Sequence, residues 1–151
     1  MIKWLDDITK RIIEENKHED IITCQCGIST TGIAHIGNFR ELIITHLVTE
    51  NLKLHGKKVR LVLSFDDFDR FKKVPKSVDA KYEKYIGMPN YSFKSHIEPS
   101  IGYAEYYENA IKNELDSLGI KMEYLYQSQK YLNNDYLEFI ELALNERENI
   151  F

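Results

Sequence analysis

Between Asp20 and Leu54 the sequence changes its period across one short, glycine-punctuated stretch. Residues 20–27, Asp-Ile-Ile-Thr-Cys-Gln-Cys-Gly, mix β-branched and small side chains as a strand does, over about 21 to 27. From Asn38 to Leu54 apolar residues return at helical intervals. The connecting Ile28-Ser-Thr-Thr-Gly-Ile-Ala-His-Ile-Gly-Asn38 is therefore a strand-to-helix turn that carries hydroxyls, two glycines and a histidine. Backbone N–H groups at a helix start carry partial positive charge and point outward, so such a turn suits a nucleotide phosphate chain. His35 adds a side chain able to donate to phosphate oxygens as charge develops at an attacked phosphorus.

The rest of the chain repeats the same grammar. Leu5, Ile8, Ile12 and Ile13 mark an amphipathic helix over 3–16. The helix from Gly37 to about His55 is expected to bury Phe39, Ile43 and Leu47 with the adjacent row Ile44, Val48 and Leu52, and Gly56 is expected to stop it in a left-handed conformation. Val59 to Phe65 reads as a buried strand whose apolar run implies helices on both faces of a parallel sheet. Asp66, Asp67 and Asp69 then fall just past its carboxyl end, the edge at which open α/β sheets bind ligands. Residues 70–100 hold all three prolines and no clear period, so an irregular excursion is expected there. Ala104, Tyr107, Ile111, Leu115 and Leu118 predict a further helix, ended by Gly119; residues 120–126 alternate as a third strand, and Leu137, Ile140, Ala143 and Leu144 predict a last helix from about Asp135. Strands separated by helices imply right-handed crossovers and a Rossmann-like α/β fold, a parallel sheet with flanking helices.

Composition narrows the function classes. A chain of 151 residues with 43% hydrophobic and 29% charged residues can bury one core. A net charge of −4 and a pI near 5.7 exclude a domain that grips nucleic acid by bulk electrostatics. Cys24 and Cys26 form a C-x-C within the first predicted strand, where they are expected to face apart and to remain buried free thiols, with no second Cys/His pair to complete a zinc site. The charged start, Met1-Ile-Lys-Trp-Leu-Asp-Asp, lacks a secretory apolar core, and no apolar run reaches membrane-spanning length, so a cytoplasmic location is expected. The acidic trio Asp66, Asp67 and Asp69 could attract ammonium groups or a hard cation, or form a solvated loop. Lys72 and Lys73 could touch a nucleic-acid end, although exposed lysines are common, and His18, His46, His55 and His96 have no matched partners in sequence.

The turn at His35-Ile-Gly-Asn38 resembles the HIGH signature of class I aminoacyl-tRNA synthetases, in the HIGN form of the class I lysyl-tRNA synthetases. Further pieces fall in the family's order: Asn38-Phe-Arg-Glu41, Gly56-Lys-Lys-Val-Arg60, Ser64-Phe-Asp-Asp-Phe-Asp69, Lys73-Val-Pro75, Tyr85-Ile-Gly-Met-Pro89 and Tyr103-Ala-Glu-Tyr-Tyr107. The chain departs from the family at Thr30-Thr31-Gly32, where Pro-Ser-Gly is usual; a hydroxyl is kept at Thr31 while the preset proline angle is lost. The resemblance implies that residues 1–151 are the amino-terminal half of a Rossmann-like catalytic domain, without the family's KMSKS lysine loop or its anticodon-reading domain. The nearest string, Gly119-Ile-Lys-Met-Glu-Tyr, has only the Lys-Met pair and is expected in a strand.

By the same resemblance, His35 and Asn38 would be catalytic; Thr30, Thr31, Gly32, His35, Gly37 and Asn38 would bind ATP; Gly27, Ser29, Asp66 and Asp67 would bind lysine, and no protein side chain would be a metal ligand. The implied reaction is ATP-dependent formation of lysyl-adenylate and its transfer to lysine tRNA, with Mg²⁺ accompanying the triphosphate. This half alone is expected to be weak or inactive, and a complementary synthetase half is the expected partner. Two other readings stand beside it: a small nucleotidyltransferase sharing the H-x-G-H logic, whose second motif of serines and basic residues is not evident, and a non-catalytic module that binds lysine, nucleotide or a synthetase.

Overall fold

The structure is a computed structural model and describes residues 2–150. Helix α1 (Lys3–Glu15) leads into strand β1 (Ile21–Ser29), α2 (Ile36–Leu54), β2 (Lys58–Asp66), a long segment with two short 3-10 turns (Ala80–Tyr85 and Asn90–Ser92), α3 (Tyr103–Ser117) and β3 (Glu123–Tyr126). Three further helices follow: α4 (Gln127–Leu132), α5 (Leu137–Asn145) and α6 (Arg147–Ile150). The three strands form one parallel sheet in the order β1-β2-β3, as expected. Gly56 and Gly119 end α2 and α3 with φ of 77° and 69°, a backbone conformation in which a Cβ would be strained.

All strands run the same way, so their carboxyl ends share one edge: Ser29 lies in register with Asp66, and β3 ends at Tyr126, opposite Phe65. Strand β1 is two residues longer than expected, which carries Ser29 into the sheet, and Asp66 is the last residue of β2 rather than lying beyond it. Strand β3 is shorter at its start, so Lys121 and Met122 precede the sheet.

The apolar run of β2 implied cover on both faces, and here the structure differs. Cys26, Ile28, Leu63 and Phe65 pack with Leu42 of α2 and with Ile111 and Leu115 of α3, while Ile22 packs with Val48 and Leu52, flanked by Leu5 and Ile12 of α1. One side of the sheet therefore meets α1, α2 and α3. The alternate positions Thr23, Gln25, Arg60 and Glu123 are exposed, with Arg60 and Glu123 joined across β2 and β3 at 2.6 Å. Only the central Val62 and Ser64 are buried on that second side. Both cysteines are free, but residues two apart in a strand share a face, so Cys24 and Cys26 stand on the helix side rather than facing apart. Burial pushes the Cys26 thiol up to about 11, which keeps it protonated.

In α2 the buried stripe is Leu42, Val48, Thr49, Asn51 and Leu52, and Ile44 is 42% exposed. Its buried polar residues explain the rotation. The Asn51 amide donates to the Thr9 hydroxyl at 2.8 Å and to Asp6 at 3.3 Å, latching α2 to α1 through side chains that a hydrophobic period cannot register.

Residues 70–100 are irregular in backbone yet well packed. Phe71, Val78, Tyr82 and Phe93 form one buried cluster with Tyr103 and Tyr107 of α3. Single bridges Arg70–Pro89 and Lys94–Gly102 close its ends. Helix α4 was not foreseen, because Gln-Ser-Gln-Lys-Tyr-Leu has no apolar period. The last predicted helix forms as α5, but Leu137, Ile140, Ala143 and Leu144 are all exposed, since nothing among the described residues packs across them. No helix among the described residues is long and apolar enough to cross a membrane.

Candidate functional site

The turn after β1 is held from both sides. The Ser29 and Thr31 hydroxyls lie 3.2 Å apart, and the buried Tyr103 phenol donates to the Thr31 carbonyl at 2.8 Å. Burial and the neighbouring Tyr107 push the Tyr103 phenol far above its ordinary range, so it stays a donor. Thr30 points inward: it is fully buried and its hydroxyl has no partner among the described residues. The hydroxyls that reach the surface are those of Ser29 and Thr31. With Gly32 they line a cleft of about 440 Å³ that Asp69, Arg70, Lys72 and Lys73 also line. Hydroxyls, a glycine and three cations around one hollow are what a polyanion requires.

His35 is the N-cap of α2. Its Nδ1 accepts the Gly37 N–H at 3.1 Å, which leaves the ring proton on Nε2 as an outward donor. Asn38 completes the reciprocal cap, accepting the His35 N–H at 3.2 Å through Oδ1. A Cβ at Gly37 would stand 2.9 Å from the His35 ring. Gly37→Ala is therefore expected to push the imidazole off its cap at a cost of about 1 kcal/mol, the usual value of an N-cap, measured by chemical denaturation. The imidazole does not line the hydroxyl cleft. It lines a neighbouring groove of about 600 Å³ between α2 and α3, with Phe39, Leu42, Tyr107 and Ile111, and Ile33 borders both hollows.

The acidic residues part company. Asp66, at the end of β2, shares a sheet face with Gly27 and Ser29, and a Cβ at Gly27 would lie 3.7 Å from its carboxylate. Burial first, then repulsion from Asp69, Asp67 and Glu41, holds the Asp66 carboxyl above its ordinary range, a strain that a bound cation would relieve. Asp67 is 3% exposed, and its carboxylate accepts the Ser128 N–H at 2.7 Å and the Ser128 hydroxyl. It ties the β2 loop to α4. Gly27, Ser29 and Asp66 thus come together, and Asp67 turns to the other side of the edge.

Sequence reasoning gave no role to Arg70, to the Tyr103 tether or to Glu108. The signal for Arg70 was its place right after the acidic strand end. Glu108 sits among buried aliphatic and aromatic residues of α3, where its helical position alone marked it as inward-facing. Burial, then repulsion from Asp67, raises its carboxyl to about 7. Because the folded pKa exceeds the unfolded one, the native state binds this proton more tightly, so stability is full below the unfolded value and is lost as pH rises through about 7. Denaturation midpoints at acid and alkaline pH are expected to show Glu108→Gln gaining on the wild type only on the alkaline side.

The edge described above belongs to a parallel sheet flanked by helices, and similarity fixes its lineage. The family model described as tRNA synthetases class I (K) matches residues 2–151. This chain belongs to that family. The lysine–tRNA ligase of Treponema pallidum is 40% identical over 99% of the chain, that of Pyrococcus horikoshii 35% over 99%, and that of Thermococcus kodakarensis 33% over 99%. The chain spans 29%, 29% and 28% of those relatives' lengths. The three-stranded parallel sheet with its helices is consistent with a class I synthetase catalytic domain, a family that uses ATP, and membership in it sets the nucleotidyltransferase reading aside.

Proposed function

We propose that this chain forms the amino-terminal half of the catalytic domain of a lysine–tRNA ligase, and that it holds the ATP phosphates and lysine for formation of lysyl-adenylate. The observation that carries the proposal is the cleft that Ser29, Thr31 and Gly32 share with Arg70, Lys72 and Lys73 at the carboxyl edge of the sheet. The lysine carboxylate is itself the nucleophile, attacking the α-phosphorus with loss of pyrophosphate, so the protein's contribution is alignment and charge stabilisation.

In this reading the three cations take up the charge of the departing phosphates. The outward Nε2–H of His35, fixed by Gly37 and Asn38, donates to an α-phosphate oxygen from the rim shared at Ile33. Thr30 acts only from beneath, as filler under the turn. Asp66, with Gly27 and Ser29, receives a lysine ammonium, and Asp67 serves as the tether that shapes the loop. An Mg²⁺ ion would accompany the triphosphate with its waters. Transfer to lysine tRNA, and the complementary half that completes the site, belong to the part of the relatives that this chain does not span; the cytoplasm, where tRNA is charged, is the compartment implied.

Calorimetric titration with lysyl- and leucyl-sulfamoyl adenosine tests the proposal. The lysyl analogue is expected to bind more tightly, and Asp66→Asn is expected to weaken it by about tenfold or more, the worth of one hydrogen bond to a charged group. Equal affinity for the two analogues, or no heat from either, would remove the lysine assignment.

A further inference from the structure

Apart from the nucleotide cleft, the described residues form a second polar hollow, of about 390 Å³, between α3 and the end of β3. Its lining includes Tyr91, Glu105, Glu108, Asn109, Ser128 and Gln129. Most of its charged groups already have partners. Asp67 is bound by Ser128, a Glu105 oxygen accepts the Gly102 N–H at 3.1 Å, and the Lys112 ammonium donates to the Tyr126 hydroxyl at 3.0 Å above the rings of Phe65, Tyr124 and Tyr126. Glu108 is the exception. It is 5% exposed, lines the hollow, and accepts no hydrogen bond and joins no ion pair among the described residues. Burial makes the ionised form of Glu108 costly, and a cation placed against it from the hollow would offset that cost.

We propose that this hollow binds a small primary ammonium ion, with the Glu108 carboxylate as its counter-ion. The donor set decides the class. With Asp67 and Glu105 already engaged, one free carboxylate is too little for a divalent metal, and among the described residues no three acidic, histidine or cysteine side chains converge. An ammonium needs one negative partner and neutral acceptors for its other N–H groups, which the Asn109 and Gln129 amides and the Tyr91 hydroxyl can supply. The groups facing Glu108 are Asp67 from the β2 loop, Glu105 and Lys112 from α3, and Tyr126 from β3; the two carboxylates oppose its ionisation and Lys112 favours it. Affinity should therefore rise as pH passes through about 7 and Glu108 ionises.

Nuclear magnetic resonance titration of the full chain at alkaline pH with n-propylammonium chloride tests this, with tetramethylammonium as a cation of equal charge and no N–H. Saturable shifts are expected at Glu108, Asn109, Ser128 and Gln129, weaker by about tenfold or more for tetramethylammonium and for Glu108→Gln. The glutamine is a neutral near-isostere of the protonated acid, and the denaturation series above reports whether it folds. Asp66→Asn should leave the shifts intact, which separates this hollow from the proposed lysine pocket. No saturable shift, equal shifts with tetramethylammonium, or unchanged binding by Glu108→Gln would overturn the assignment.

Discussion

Tyr103→Ala is expected to destabilise the chain by about 3–5 kcal/mol, the range for deleting a fully buried aromatic ring. The ring is completely buried and packs against Phe71 and Phe93, with centroids 5.4 and 4.8 Å away, so its loss opens the whole cluster beneath residues 70–100. The same residue carries the hydroxyl that holds the Thr31 carbonyl. Tyr103→Phe keeps the packing and removes the hydroxyl, with its bond to the Thr31 carbonyl and its contact with the Tyr107 hydroxyl, at about 1 kcal/mol. Urea denaturation separates the two costs, and hydrogen exchange in the turn after β1 should quicken in both variants. A Tyr103→Phe protein with unaltered exchange at Thr31 and Gly32 would show that the tether does not position the turn.

Joint replacement of Arg70, Lys72 and Lys73 by alanine is expected to produce the largest functional loss. Each charge-assisted hydrogen bond to phosphate is worth about 1.5–3 kcal/mol, so losing even one weakens a triphosphate ligand by about tenfold to a hundredfold. Lys72 and Lys73 are exposed, and stability should hold within about 0.5 kcal/mol, as for surface substitutions generally. Calorimetry with a non-hydrolysable ATP analogue at rising salt measures this, because the wild-type affinity should fall with ionic strength and the variant's should hardly change. An unchanged affinity in the triple variant would move the phosphates away from this cleft.

The fold was legible where side chains follow a period. The strand-to-helix switch at Ile28–Asn38, the glycine stops at Gly56 and Gly119 and the parallel order of the strands all follow from apolar spacing and backbone freedom. Legibility failed where polar atoms decide. Thr9, Thr49 and Asn51 turn α2 on its axis through hydrogen bonding and burial, and the second side of β2 is half open because Arg60 and Glu123 pair across it. The segment 70–100 looked shapeless because its order comes from aromatic rings that meet in space without any spacing in sequence.

The site was legible by kind more than by position. The proposed phosphate turn could be read from Ser29 to Asn38, whereas residue order did not show that Arg70, Lys72 and Lys73 line the same cleft. The roles of neighbours such as Thr30 and Thr31, or Asp66 and Asp67, depend on which member of each pair turns inward. Thr30 and Asp67 do so, which sequence alternation at a strand end does not settle.

The central claim is that the turn after β1 and the cations after β2 together hold nucleotide phosphates. Amide resonances followed during titration with lysyl-sulfamoyl adenosine test it most directly. The account predicts saturable shifts over 29–32 and 70–73, with His35 moving in step; shifts confined to the apolar groove between α2 and α3, with 29–32 and 70–73 silent, would contradict it.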